Sequence, residues 1–295
     1  MPRVSVVVPV YNGAQFLEES LASIFAQTFT DYEIICVDDG STDASWNLLE
    51  AYRGRLKLVR QSNRGQAASR NAGAMQAIGE FLAFLDQDDR WYPHKLARQV
   101  EALDADPDAV LAYSNSDRMD QEGCLTQIGV TLIEWDSALA SPLGSLISGG
   151  LVLPSSMLVR RDVFVRAGGF DANLRGYEDF DLSARLKQRG RFLFLEEPSL
   201  CYRQHAAGFS QAGGMEVIRS RERFLLRMQA LYAGEVAKEQ LIRVLLAECY
   251  SDRGRAELQA GNRRDSLAFL WRSIRHHPTK LRTYLRLLRA LGPFV

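Results

Sequence analysis

Three carboxylates, Asp86, Asp88 and Asp89, close the apolar run in FLAFLDQDDRWYPHKL, residues 81–96. Like charges packed this closely repel, so their natural complement is a cation or a group that binds through one. In extended or turn geometry the side chains of Asp86 and Asp88 can converge on one hard ion. Mg2+ or Mn2+ suits oxygen ligands, keeps some of its waters and shares its remaining positions with phosphate oxygens. A metal-assisted diphosphate is the chemistry this stretch suggests. Two more polar clusters follow strand-like runs: PVYNG after the first and VDDGST after the second. A third acidic group, YEDFD at 177–181, opens a helical pattern, where the helix dipole favours an ionised carboxylate. Each cluster alone has a plain structural reading, because acids at strand ends cap helices and make Asx turns. Three polar strand ends at one sheet edge argue for a ligand site.

These groups need a frame to bring them together. Val4–Val8 is β-branched and apolar, the pattern of a strand covered on both faces. Phe16, Leu17, Leu21, Ile24 and Phe25 then make a helical stripe. Strands are expected at 32–37, 56–59 and 81–85, with helices at 45–52 and through GQAASRNAGAMQAIG. Strand and helix alternate, as in a parallel α/β sheet with right-handed crossovers. A helix to about Leu103 and a strand in AVLAYSNS follow, then a turn-rich stretch over 117–154. RRDVFVRAGGF, DFDLSARLKQRG, RFLFLEE and SLCYRQH resume helical and strand patterns. Beyond about Met215 only helices are expected. The predicted division falls at Gly213-Gly214, giving an α/β domain over 1–213 and a helical extension over 214–295. AELQAGNRRDSLAFLWRSIRHHP has the rhythm of one tetratricopeptide-like unit.

Lys plus Arg and Asp plus Glu are both 36 in this 295-residue chain, so net charge implies no nucleic-acid partner. The distribution is uneven: from Asn262 onward eight basic residues face a single acid, Asp265. Cys36, Cys124, Cys201 and Cys249 lie far apart without a CxxC pair, which suits reduced thiols in the cytoplasm. The first residues lack the form of a signal peptide, and no segment approaches the ~20 apolar residues that span a bilayer. The absence of GxxxxGK[ST], HExxH, GxSxG and a GxGxxG after the first strand disfavours nucleotide hydrolysis, metalloproteolysis, serine hydrolysis and dinucleotide redox chemistry. LAFLWRSIRHHPTKLRTYLRLLRALGPFV combines leucines at helical spacing with Lys280, Arg282, Arg286 and Arg289. Such a helix can lie peripherally at the inner face of a membrane, pack on the catalytic domain or pack on a second copy.

The chain resembles the family 2 glycosyltransferases with the GT-A fold. The resemblance lies in VSVVVPVYNGAQFLEESLASIFAQTFTDYEIICVDDGSTD, in NRGQAASRNAGAMQAIGEFLAFLDQDDRWYPHKL and in VRRDVFVRAGGFDANLRGYEDFDLSARL, in that order. It implies a Rossmann-like, mostly parallel sheet flanked by helices. The activity implied is inverting transfer from a UDP-sugar or dTDP-sugar, with Mn2+ or Mg2+, to a saccharide or lipid-linked acceptor in cell-surface polysaccharide or glycolipid synthesis. By the same resemblance Pro9, Val10, Tyr11 and Asn12 line the nucleotide pocket. Asp39 accepts a hydrogen bond from the uracil or thymine ring, and Asp38 shapes that turn. Arg70 reaches the nucleotide or its phosphates, Asp86 the ribose or the ion, and Gln87 lies on the nucleotide side. Asp88 is the principal metal ligand, with His205 close to the metal or diphosphate. Asp179 is the expected base and Glu178 its competitor.

General chemistry supports this division of labour. A sugar leaves a diphosphate when the developing charge is stabilised by a Lewis-acidic metal or a cation. The acceptor hydroxyl needs a positioned carboxylate to take its proton. Three alternatives are weighed. A non-catalytic nucleotide-sugar-binding or assembly module would be expected to lose Asp88 and Asp179. A nucleotidyltransferase would want a glycine-rich basic loop where PVYNGAQF stands. A receiver domain would leave YEDFD unexplained.

Overall fold

The structure, a computed structural model, describes residues 1–130, 152–205 and 214–292. Its first half alternates as expected: β1 (Val4–Val10), α1 (Leu17–Phe25), β2 (Tyr32–Asp38), α2 (Ser45–Ala51), β3 (Lys57–Arg60), α3 (Gln66–Gln76) and β4 (Phe81–Phe84). Next come β5 (Arg90–Trp91), α4 (Lys95–Ala105), β6 (Ala109–Met119) and β7 (Leu125–Val130). A 3-10 turn, Pro154–Ser156, leads into β8 (Met157–Arg160), α5 (Arg161–Ala167), α6 (Glu178–Lys187) and β9 (Arg191–Arg203). Four helices complete the described chain: α7 (Met215–Leu231), α8 (Val236–Gln259), α9 (Arg263–His276) and α10 (Leu281–Leu291).

The strands form one sheet in the order β3-β2-β1-β4-β8-β6-β9-β5, with β7 on β6. Every residue of β1 is buried, as its nearly all-apolar run requires, and its one polar side chain, Ser5, is hydrogen-bonded to Glu33 and to the Gly79 N–H. Alternate residues serve opposite faces. Val4, Val6 and Val8 pack with Leu17, Leu21, Leu96 and Val100, whereas Val7, Ile35 and Phe84 pack with Ala74, Phe164 and Leu182. Helix α3 lies unusually close to the sheet. A Cβ on Gly73 would stand 2.3 Å from Val7 Cγ1, so only a glycine allows this approach.

Two features depart from the sequence reading. The sheet is parallel across β1–β4 and between β6 and β9, but β8 runs antiparallel between β4 and β6, and β5 and β7 are antiparallel too. RFLFLEE and SLCYRQH also merge into one long strand. Its ladder to β6 shifts between Ser114–Leu195 and Ser116–Leu200, where Pro198 offers no N–H.

Residues Met1–Ala172 and Glu178–Gly208 make one compact unit, and Asn173–Tyr177 with Phe209–Val295 make a second. The expected division point includes Gly213, which lies outside the described residues, as do 293–295 of the tail motif and 131–151 of the turn-rich stretch. Within the second unit α8 and α9 meet closely at Gly254, where a Cβ would come 2.7 Å from Leu270 Cγ. Among the described residues no helix is long and apolar enough to cross a membrane.

Candidate active site

Parallel strands β1, β2 and β4 bring three loops to one edge, and the loops are stitched by side chains. Asn12 has φ 49°, a left-handed conformation that asparagine tolerates better than most residues. Its Oδ1 accepts the Thr42 N–H at 2.8 Å, while its own N–H donates to Ser41 Oγ at 3.0 Å. Gln87 holds the same loop from the other side, accepting the Tyr11 N–H at 2.8 Å and donating to the Tyr11 carbonyl at 3.0 Å. Gly13 makes room for it, since a Cβ there would lie 2.2 Å from Gln87 Cδ. Pro9 and Val10 are buried at the end of β1, and Tyr11 is exposed.

Asp38 and Asp39 are both buried at the end of β2. Asp38 accepts from the Ser41 N–H and pairs with Arg60 Nε at 3.1 Å. Asp39 accepts from Gln61 Nε2 at 2.8 Å and from the backbone N–H groups of Arg64 at 2.9 Å and Gly65 at 2.8 Å. Three of its roughly four acceptor positions thus hold the loop before α3.

Arg70 is the hub of the site. It is 2 % exposed, on the face of α3 that meets the sheet. Its Nη2 donates to both Asp86 oxygens, at 2.7 and 2.9 Å, and Nη1 stands 3.7 Å from Glu178 Oε1. Burial opposes its charge, but Asp86 and Glu178 outweigh that and raise its pKa. One guanidinium therefore ties the end of β4 to the first turn of α6. There Asp179 is pushed up to about 7, first by burial and then by the charge of Glu178. The Phe180 N–H, donating to Asp179 Oδ1 at 2.8 Å, and nearby Arg70 act in the opposite direction.

The acidic turn itself is balanced piece by piece. Asp86 is paired with Arg70, and Asp88 Oδ2 stands 2.9 Å from His205 Nε2. The Asp88 carboxyl is raised by burial and by Asp86, with the His205 contact opposing. Asp89, fully enclosed, is pushed well above the usual range by burial, Asp88 and Asp86. Asp86 and Asp88 thus have different protein partners. Among the described residues no cluster of three or more His, Cys, Asp or Glu side chains is arranged as a metal site. Asp88 with His205 supplies one carboxylate oxygen and one imidazole nitrogen. That pair suits Mn2+ or Mg2+ when a diphosphate and waters supply the other positions.

Arg203 is the site residue that the sequence reading passed over. It is 3 % exposed and donates through Nε to the Asp88 carbonyl at 2.8 Å and through its backbone N–H to Asp89 Oδ1 at 3.1 Å. Nη1 reaches the carbonyls of Asp120 and Gln121, and Nη2 pairs with Glu19. Ser155 joins the same turn: its Oγ accepts the Asp86 N–H at 3.1 Å and its hydroxyl donates to the Asp89 carboxyl, opposing the rise in that pKa, while its carbonyl accepts the Trp91 indole N–H at 2.7 Å. Arg203 is the last residue of β9, and His205 lies two residues past it; both reach Asp88. Trp91 is buried packing, as its position beside Pro93 suggests.

Residues 5–124 match the family described as glycosyl transferase family 2. An uncharacterized glycosyltransferase of Rickettsia prowazekii is 31% identical over 212 residues, covering 70% of this chain and 65% of the relative. A Bacillus subtilis glycosyltransferase named for teichuronic acid biosynthesis is 34% identical over 126 residues, 41% of this chain and 50% of the relative. The chain spans 65% of the length of the first of these relatives and half of the second. The crystal structure of S. aureus TarS 1-349 in complex with UDP-GlcNAc matches with a TM-score of 0.70 at 20% identity, over 98% of this chain and 89% of that one. Mannosyltransferase PcManGT from Pyrobaculum calidifontis, in complex with GDP-Man and Mn2+, matches with a TM-score of 0.57 at 20% identity, over 98% of this chain and 86% of that one. The sheet and its edge loops have the GT-A fold, and residues 5–124 match the model of glycosyl transferase family 2.

Proposed function

We propose that the protein transfers a sugar from a nucleoside-diphosphate donor, a UDP-sugar or dTDP-sugar, to an acceptor hydroxyl with inversion at the anomeric carbon. The observation that carries this reading is the Arg70 bridge. It joins the acidic strand end to Glu178, whose neighbour Asp179 is a half-buried carboxyl pushed up to about 7. A base of that strength takes a hydroxyl proton efficiently near neutral pH. Glu178 is committed to Arg70, so Asp179 is the base and Glu178 its positioning partner. Proton transfer to Asp179 Oδ accompanies attack of the acceptor oxygen, and the diphosphate leaves from the opposite face.

The loop of Pro9, Val10, Tyr11 and Asn12, held by Gln87 and backed by Asp38 and Asp39, receives the nucleoside. Asp88 and His205 hold a divalent ion, which when bound supplies Lewis-acid stabilisation of the departing diphosphate. A Mn2+ complex of a neighbour with the same fold supports that choice of ion, and UDP-GlcNAc and GDP-Man complexes support a nucleotide-sugar donor. The relative named for teichuronic acid biosynthesis supports an acceptor in cell-surface polysaccharide or glycolipid synthesis. All four thiols are free, which suits a cytoplasmic setting.

The test is a donor panel scored by thermal stabilisation with Mn2+ present, followed by turnover. Asp179→Asn should bind the selected donor almost as well as the parent and turn over ~100- to 10,000-fold more slowly. Asp88→Asn should lose the Mn2+-dependent part of donor binding. Turnover of Asp179→Asn within a few-fold of the parent, or full donor binding in EDTA, would refute the assignment.

A further inference from the structure

Helix α10 carries two apolar faces, and one of them has no protein partner among the described residues. Thr283, Leu287 and Ala290 are buried, with Thr283 Oγ1 within hydrogen-bond reach of Ser273 of α9 and Ser251 of α8. Leu281, Leu285 and Leu288 are instead 71%, 52% and 51% exposed, with Tyr284 and Leu291 beside them. At about 100° per residue these five side chains fall in one arc, and Arg282, Arg286 and Arg289 fall between that arc and the buried face. Next to the arc, α8, α9 and α10 leave a groove of about 450 Å³. Leu258, Leu270 and Leu285 give it an apolar floor, and Arg255, Arg282 and Arg289 line it as well. Arg286 is paired with Asp252. Among the described residues no carboxylate stands within ion-pair distance of Arg255, Arg282 or Arg289.

Charge selects the occupant. Residues 266–292 include Arg272, Arg275, Lys280, Arg282, Arg286 and Arg289 and no acid. Two copies meeting through this face would bring like charges together. A surface of anionic phospholipid brings opposite charge to the guanidiniums and an acyl boundary to the leucines. We propose that α10 and the arginine-lined groove dock the helical unit onto an anionic membrane surface. Leu281, Leu285 and Leu288 seat below the headgroups while Arg255, Arg282 and Arg289 engage lipid phosphates. The proposal rests on the helical unit alone and is independent of the donor and base assigned above.

The experiment is co-sedimentation of the full chain with vesicles of pure phosphatidylcholine and of phosphatidylcholine mixed with phosphatidylglycerol, at low and high salt. Binding is expected only to the anionic vesicles and should weaken in high salt. Arg282→Gln with Arg289→Gln should lower that binding roughly 10- to 30-fold, two cations each contributing near the surface. Leu281→Ser, Leu285→Ser and Leu288→Ser together should lower it as well while leaving every charge in place. These positions are exposed, and thermal unfolding of each variant checks that the fold is retained. Binding to neither vesicle, equal binding to both, or binding that survives either variant overturns the proposal. So does a dimer in sedimentation equilibrium that the serine variant dissociates without any vesicle binding. Inorganic phosphate that raises the unfolding temperature while vesicles fail to bind would mean a free-phosphate site, and would equally overturn it.

Discussion

Replacing Arg70 by Gln tests whether one cation organises the site. The side chain is enclosed and contacts Asp86 at 2.7 Å and Glu178 at 3.7 Å, both carboxylates being largely buried as well. Removing one partner of a buried ion pair leaves an uncompensated charge and costs about 3–5 kcal/mol. For a domain of this size that corresponds to a fall in unfolding temperature of roughly 6–20 °C. Arg70→Lys keeps the charge but not the two-ended reach, so its loss should be less than half as large. Low pH should shrink the Gln penalty. Without the guanidinium, Asp179, already raised by burial, holds its proton still more tightly than in the unfolded chain, so the variant's stability falls further as pH rises. Arg70 also holds the Asp179 pKa down, so in the variant it should climb beyond about 7 and move the acid limb of turnover to higher pH. Thermal unfolding at pH 5 and pH 8, with a pH–rate profile, measures both effects. An unfolding temperature within 2 °C of the parent at pH 8 (about 1 kcal/mol or less) and an unmoved profile would refute the reasoning.

Two further outcomes follow from the same contacts. Gly13→Ala should displace Gln87, cost about 1–2 kcal/mol through its two lost hydrogen bonds to Tyr11 and weaken nucleotide binding; in a Gln87→Ala background the same change should cost little, and equal costs in both backgrounds by urea unfolding would disprove the coupling. Asp179→Asn should stabilise the fold by something like 1–3 kcal/mol at pH 8 and not at pH 4, because a carboxyl raised from 3.8 to about 7 costs stability progressively as pH rises through that window; no gain at pH 8 would count against a raised pKa.

Much of the parallel half of the sheet was legible because its signal is local. The nearly all-apolar run of β1 and the small residues of α3 declare their burial through side-chain type alone. The long strand β9 was not legible as one element, since Glu196, Glu197 and Pro198 interrupt its apolar run and its pairing depends on a distant partner. The acidic strand ends do fall together at one sheet edge, but their partners could not be read. Nothing near Asp39 in sequence announces that the N–H groups of Arg64 and Gly65 return to it. Nor does DQDD announce that Asp86 is matched by an arginine on α3. A buried charge is satisfied by whatever the fold brings back, and only the three-dimensional register specifies that.

The clamp on the Asp88 turn also bears on how the protein folds. Arg203 and His205 are 115 and 117 positions from Asp88, whereas the Arg70 contact to Asp86 spans 16. Contacts between distant positions carry a larger loop-closure cost, and topologies rich in them fold slowly. The loops on β1 and β2 are held by pairings of shorter span, 30 positions for Asn12–Thr42 and 76 for Tyr11–Gln87. The Asp88–His205 pair exists only once β9 has docked beside β6. Changes that loosen β9 from β6 should therefore unlock the Asp88 turn while the loops on β1 and β2 keep their own pairings.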